Sequence, residues 1–287
     1  MNHDDKPISA GLYLISTPIG AARDITLRAL DLLRSVDLIA AEDTRTARKL
    51  MEIHGVALGD RKVVAYHDHS SEAARNGLVA AVAAGKSVAF LSEAGTPLIA
   101  DPGLQLARAA IGQGLAVTAA PGASAVLAAL TVAGLPTDRF AFIGFLPAAE
   151  AARDRELMAL AQIPMTLVFY ESPKRLAASL AAMSERLGPD RPAAVCRELT
   201  KKFEETRRGS LGELASGAAE GAARGEHVIV VGYLDDTPPG EDEVRTALEE
   251  ALRTMRVKDA ATAVAGALNL PRRTVYQLAL KMGSERD

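Results

Sequence analysis

Ser87-Val88-Ala89-Phe90-Leu91 runs into Ser92-Glu93-Ala94-Gly95-Thr96-Pro97-Leu98-Ile99-Ala100-Asp101-Pro102-Gly103, and a helical pattern, Leu104 to Ile111, follows. An apolar run that breaks into a Gly/Pro-rich turn before a helix reads as a buried strand with a loop at its carboxyl end. In α/β sheets ligands bind at that end. Gly95, Gly103, Pro97 and Pro102 fix an irregular backbone there, which can offer N–H and C=O groups to a small polar ligand.

The same alternation extends in both directions. Leu12–Ile15, Val36–Ala41, Lys62–Tyr66 and Leu115–Ala119 read as strands. Thr26 to Ser35 reads as a helix, with Leu27, Leu30 and Leu33 three residues apart. Repeated strand–helix–strand spacing predicts a mainly parallel, doubly wound sheet. A second set of strands follows at Phe140–Phe145, Met165–Tyr170, Ala193–Arg197 and His227–Gly232, with helices over Leu176–Leu187 and Leu211–Ala223. The Pro/Gly/Asp-dense stretch Asp235 to Gly240 reads as a linker. Beyond it, Lys258–Leu268 and Pro271–Lys281 pair across Asn269-Leu270 as a helix–turn–helix-like hairpin. The expected class is α/β. A leader covers 1–8, a mainly parallel α/β domain 9–121, a mixed-sheet α/β domain 122–236, and a linker with the helical tail 237–287.

With 287 residues, 48% of them hydrophobic, and a mean hydropathy of +0.08, the chain has the composition of a soluble globular protein. No apolar run approaches the roughly eighteen residues of a membrane span, and the N-terminus lacks a signal-peptide core. A single cysteine, Cys196, excludes an internal disulfide and fits a cytoplasmic protein; Ala193-Ala194-Val195-Cys196 marks it as a buried strand residue. A net charge of −3 gives no global field for nucleic acid, so an RNA partner needs a local basic patch.

Thr17-Pro18-Ile19-Gly20, Glu42-Asp43-Thr44-Arg45, Ser92 to Pro97 and Pro121-Gly122-Ala123-Ser124 all follow strands. In a parallel sheet these four loops line one crevice, and Tyr170-Glu171-Ser172-Pro173 and Arg197-Glu198 are placed to close over it. Each loop also has a plainer reading. Asp24 and Thr26 suit helix capping, and Glu42 and Asp43 suit a cap or a pairing with Arg45 and Arg48. His67-Asp68-His69 is too small a set for a metal site, so no metal is expected. Neither a GxxxxGK[ST] nor a GxGxxG motif is present.

Together these loops resemble a known family. Ser16-Thr17-Pro18-Ile19-Gly20-Ala21-Ala22-Arg23-Asp24-Ile25-Thr26-Leu27-Arg28-Ala29-Leu30 is similar to its first signature. Ala40 to Arg45, Ser92 to Gly103, Phe169 to Arg175 and Arg197-Glu198-Leu199-Thr200-Lys201 supply the rest. The family is that of the small-subunit ribosomal RNA methyltransferases that 2′-O-methylate a cytidine in the decoding region. They are class III S-adenosylmethionine enzymes of the tetrapyrrole-methylase fold. The resemblance runs from about Leu12 to about Leu280. This chain departs from the family's usual residues at Ala21, Glu93, Ala123 and Lys174, where Asn, Asp, Pro and His are common.

The resemblance implies two α/β domains with S-adenosylmethionine in the cleft between them, a homodimer, and 16S rRNA or the small ribosomal subunit as partner, with cytidine 1402 the expected target. Cofactor contacts are then expected from Pro18, the Glu93-Ala94-Gly95-Thr96 backbone, Ile99, Ser124, Ala125, Tyr170 and Leu199. Val228 closes the adenine side. Candidate bases for the ribose hydroxyl are Glu42, Asp43 and Glu93, with Asp24 behind them. Arg28 or Arg45 serves to hold a phosphate or tune a carboxylate. For RNA, the most basic stretch is Arg197 to Phe203 with Arg207 and Arg208, read otherwise as a solvated charged loop. Arg272 and Arg273 of the tail are further candidates, although residues 241–287 hold eight acidic and eight basic side chains. Rival readings are a tetrapyrrole or corrin C-methyltransferase of the same fold, and a non-enzymatic nucleic-acid-binding protein that uses the hairpin.

Overall fold

A computed structural model describes residues 8–219, 225–233, 241–268 and 270–284. The chain divides into two compact units, Met1–Tyr233 and Leu234–Asp287.

The first unit is built on two five-stranded sheets. In the first sheet the strands are β1 (Gly11–Ile15), β2 (Leu38–Ala41), β3 (Lys62–Ala65), β4 (Ser87–Leu91) and β5 (Val117–Ala120). Their spatial order is β3-β2-β4-β1-β5, and every pairing is parallel. All five residues of β4 are buried, as a strand covered on both faces requires. Its side chains alternate between two cores. Ala89 and Leu91 join Ile15 and Ile39 beneath α1 (Leu27–Ser35) and α2 (Thr44–Ile53). Val88 and Phe90 join Leu12 beneath α3 (Glu72–Ala83) and α4 (Leu104–Gly112).

Short polar residues set the helix starts. Thr26 Oγ1 accepts the Ala29 N–H, and Ser71 Oγ accepts that of Ala74. At the far end of α1, Arg61 Nη1 donates to the carbonyls of Leu33 (2.5 Å) and Val36 (3.4 Å). This satisfies carbonyls that the helix leaves open.

In the second sheet the strands are β6 (Phe140–Phe145), β7 (Thr166–Glu171), β8 (Pro192–Arg197), β9 (Glu205–Ser210) and β10 (His227–Val231), ordered β6-β7-β10-β8-β9. Only β6 and β7 run parallel; β10 is antiparallel to both of its neighbours. Helices α6 (Glu150–Leu160), α7 (Leu176–Leu187) and α8 (Leu211–Ala219) cover one face, and α5 (Ala125–Ala133) packs on the other against Val168, Cys196 and Val230. Cys196 is a buried strand residue, as its apolar neighbours predicted.

The sequence reading needs correction in several places. Residues 205–210 are not part of a solvated loop but an edge strand, paired with β8 from Pro192↔Ser210 to Arg197↔Glu205. The second and fifth strands begin two residues later than their apolar runs, at Leu38 and Val117. The tail keeps the expected hairpin as α10 (Val257–Ala267) and α11 (Arg272–Ser284) and adds a helix before it, α9 (Glu241–Ala251). They share a core of Val244, Leu248, Val264, Val275 and Ala279. Most of the expected leader (1–7), the end of the helix expected to reach Ala223, the linker and Asn269 lie outside the described residues.

Candidate active site at the strand ends

A cavity of about 590 Å³ opens at the carboxyl ends of the first sheet's strands, walled on the far side by the second sheet. This is the size and placement of a small-molecule site. The loop after β1 contributes Pro18, Ile19 and Gly20, and the loop after β4 contributes Glu93 to Thr96 and then Ile99 to Asp101. The two loops are joined by a bridge in which Thr17 N donates to Gly95 O (2.8 Å) and Gly95 N to Thr17 O (3.1 Å). Gly95 has φ +80°, and a Cβ there would stand 3.3 Å from Ile19 Cγ2. Thr96 Oγ1 donates to Ala123 O (3.0 Å), fixing the turn that leads to Ser124 and Ala125 at the start of α5.

The second sheet supplies Tyr170, Leu199 and Val228. Phe142 and Phe145 hold the Tyr170 ring edge-on, with centroids 4.8 and 5.6 Å away. Burial pushes its hydroxyl up to about 12, and the nearby Asp101 charge adds to the rise. Eleven residues expected around a cofactor, from Pro18 to Val228, thus line one cavity.

The expected acid–base residues separate. Glu42 and Glu93 line the cavity, and Glu42 Oε2 accepts the Glu93 N–H at 3.1 Å. Asp43 is occupied as the cap of α2: its Oδ1 accepts the N–H groups of Arg45 (2.7 Å) and Thr46 (3.3 Å), and Oδ2 pairs with the Arg45 guanidinium (3.0 Å). Those contacts hold its carboxyl below the usual range. Asp24 and Arg28 are exposed and do not line the cavity, and Thr26, not Asp24, caps the first helix.

Two residues of the basic stretch, Arg197 and Lys201, are paired with acids. Lys201 lines the cavity but is paired with Glu198 (3.1 Å) and Glu226 (2.8 Å), and Arg197 is paired with Glu205 (3.4 Å). Arg208 donates to Val132 O at the end of α5. Arg207 is exposed on β9. Lys202 stacks over the exposed ring of Phe203, 5.5 Å from its centroid. Arg272 and Arg273 open α11 in the other unit. The His67 and His69 rings are 6.3 Å apart, and among the described residues no three metal-type ligands come together.

Three groups went unassigned in the sequence. Asp101 faces the cavity; burial raises its carboxyl to about 6, with Glu42, Glu93 and Asp68 adding to the rise. Glu171 is buried, accepting from Ser172 N (2.8 Å) and Ser179 Oγ (2.5 Å) beside Arg175. His227 is buried with Nδ1 unpartnered, and burial lowers its pKa.

Two α/β sheets enclosing a cavity of this make define a tetrapyrrole-methylase fold, and the Tetrapyrrole (Corrin/Porphyrin) Methylases family matches residues 11–215. A uroporphyrin-III C-methyltransferase from Thermus thermophilus, solved with S-adenosyl homocysteine, shares the fold at a TM-score of 0.53 and 24% identity, covering 77% of this chain and 97% of its own. Residues 238–283 match the RsmI C-terminal HTH domain. Within the methylases, the chain belongs to the ribosomal RNA small subunit methyltransferase I family. It is 46% identical to the Mesorhizobium japonicum member over 91% of this chain and 89% of that one, and 45% identical to the Erythrobacter litoralis member over 98% of each.

Proposed function

We propose that the protein transfers a methyl group from S-adenosylmethionine to the ribose 2′-oxygen of a cytidine in the decoding region of 16S rRNA, at cytidine 1402. The carrying observation is the cavity itself, together with a family relationship that extends through the helical tail. The residues present fit the methyl donor. Gly95 leaves room for a ligand to approach the backbone, Tyr170, Leu199 and Val228 form an apolar side, and Glu42 and Glu93 give a negative wall suited to a cationic sulfonium.

The donor supplies an activated methyl group. The chain positions the acceptor, and the ribose oxygen needs to lie about 3 Å from the methyl carbon. Arg45, its side chain 90% exposed beside Asp43, offers a cation for a backbone phosphate, and Lys202 with Phe203 offers a cation and a stacking face. The tail matches a helix–turn–helix domain and gives a second candidate RNA contact through Arg272 and Arg273. That tail match favours this reading over a tetrapyrrole C-methyltransferase. The protein would act in the cytoplasm as a homodimer. Leu104, Ile111 and Leu127, all exposed on α4 and α5, are candidates for the contact, which sedimentation of the purified protein would reveal.

The experiment is methyl transfer from labelled S-adenosylmethionine to purified small ribosomal subunits, with the modified nucleotide mapped by mass spectrometry. A single ribose-methylated cytidine in the decoding region is expected. Binding of the donor without transfer to subunits or free RNA would redirect the search to a tetrapyrrole acceptor.

A further inference from the structure

The mechanism still lacks a group to receive the ribose proton, and the geometry of the cavity narrows the choice. Asp43 is taken up by capping α2, and Asp24 does not line the cavity. Glu42 uses one carboxylate oxygen on the Glu93 N–H, and Glu93 is exposed to solvent. Asp101 remains: it lines the cavity, is half-buried, and is in no ion pair among the described residues.

The backbone points to the same residue. Leu98 (φ +73°) and Ala100 (φ +56°) are left-handed without being glycine. Each such residue costs about 1 kcal/mol, and strain of this kind collects at functional sites. Here it falls between Pro97 and Pro102, in the segment whose Ile99, Ala100 and Asp101 line the cavity. Gly103 (φ +117°) then releases the chain into α4, packed so closely that a Cβ would come within 2.5 Å of Phe90.

We propose, on the strength of the methyltransferase reading above, that Asp101 is the proton acceptor of the reaction. The 2′-hydroxyl proton passes to the Asp101 carboxylate as the ribose oxygen forms its bond to the methyl carbon. The electron pair of the breaking carbon–sulfur bond stays on sulfur, so the sulfonium charge is discharged and the carboxylic acid leaves neutral. The protonated acid returns its proton to water when the products depart.

The surroundings of Asp101 suit this role. Glu42, Glu93 and Asp68 face it with negative charge, and Tyr170 lies opposite as a neutral phenol. The Ser92 hydroxyl is close enough to pull the other way, without reaching hydrogen-bond geometry. The result is a carboxyl near 6, basic enough to take a proton and still ionised at neutral pH.

Four readouts on the whole chain test the assignment. Carbon-13 NMR of labelled aspartate should show one carboxyl titrating near 6 in the wild type and missing in Asp101→Asn. Turnover of Asp101→Asn on small subunits should fall about 100-fold, within the range for a lost general base, while calorimetry gives S-adenosyl homocysteine affinity within about threefold. The acid limb of the wild-type turnover profile should disappear in Asp101→Asn and move to lower pH in Glu93→Gln, which removes one neighbouring charge. Asp101→Glu, which restores a carboxylate, should regain part of the lost turnover. An Asp101→Asn enzyme that keeps more than about a fifth of wild-type turnover, or no aspartate titrating above about 5, overturns the assignment and leaves the methyltransferase reading intact. A wild type that binds donor but methylates neither subunits nor free rRNA overturns both.

Discussion

Ala21 donates its backbone N–H to Thr200 Oγ1 at 3.0 Å, joining two loops 179 residues apart in the chain. One follows β1 of the first sheet and the other follows β8 of the second, and Gly20 and Leu199 beside them line the cavity. Thr200 is held there at φ +64°, and Gly20 fits beneath it: a Cβ on Gly20 would lie 2.6 Å from Thr200 Oγ1 and 2.5 Å from Lys201 Cγ.

Gly20→Ala should therefore displace the 199–201 loop, and with it Leu199 on the cavity wall. The expected outcome is roughly a tenfold loss of S-adenosyl homocysteine affinity by calorimetry, about 1.4 kcal/mol, with the melting temperature lowered by only a few degrees. Unchanged affinity would mean that Leu199 takes no part in binding.

Asp101 has a signature in stability as well as in turnover. Its folded-state pKa is raised, so its stabilising contribution is complete below 3.8 and is lost as pH rises through about 6. The full displacement corresponds to about 3 kcal/mol, and solvent screening of a half-exposed carboxyl reduces this to about 1 kcal/mol. Asp101→Asn should be more stable than wild type by that amount in urea at pH 7.5, and the gap should close at pH 4.

His227 works in the opposite direction. Burial lowers its pKa, so its contribution is present above 6.5 and lost as pH falls through the folded value. In thermal melts, His227→Phe should gain on wild type as pH drops from 7 to 5. A constant gap across that range would show that the ring titrates as freely folded as unfolded.

Arg175 keeps the buried Glu171 carboxylate in company at 3.4 Å and donates to Leu146 O at 2.5 Å. Arg175→Leu removes the cation paired with Glu171 and should cost about 3 kcal/mol in urea unfolding. The double variant with Glu171→Gln should recover part of the loss.

Which parts of this molecule were legible in sequence follows from where the stabilisation lies. Ser87–Leu91 and Leu176–Leu187 emerge with their full bounds because each buries a continuous apolar run or stripe of its own. Glu205–Ser210 has no apolar residue and carries no such signal; it is a strand because β8 offers it an edge. The four loops at the first sheet's strand ends were visible because parallel strands place their carboxyl ends together. Asp101 was hidden inside Asp101-Pro102-Gly103, a sequence that reads as a turn, and nothing in it announces the left-handed backbone at Leu98 and Ala100 that precedes it. The local pairing of Lys201 with Glu198 and Glu226 was hidden too, since Glu226 is distant in the chain and close only in the fold.

The place of β10 has a consequence for how the protein is made. It is the last strand of its sheet to be synthesised, yet it lies between β7 and β8. Until residue 231 has left the exit tunnel, two apolar strand edges stand open where the middle of that sheet will be, and the cavity lacks Val228. A growing chain in that condition is exposed to wrong edge-to-edge pairing. The enzyme therefore acquires its complete site only once β10 has emerged, and chains stalled before it should need chaperones rather than bind ligand.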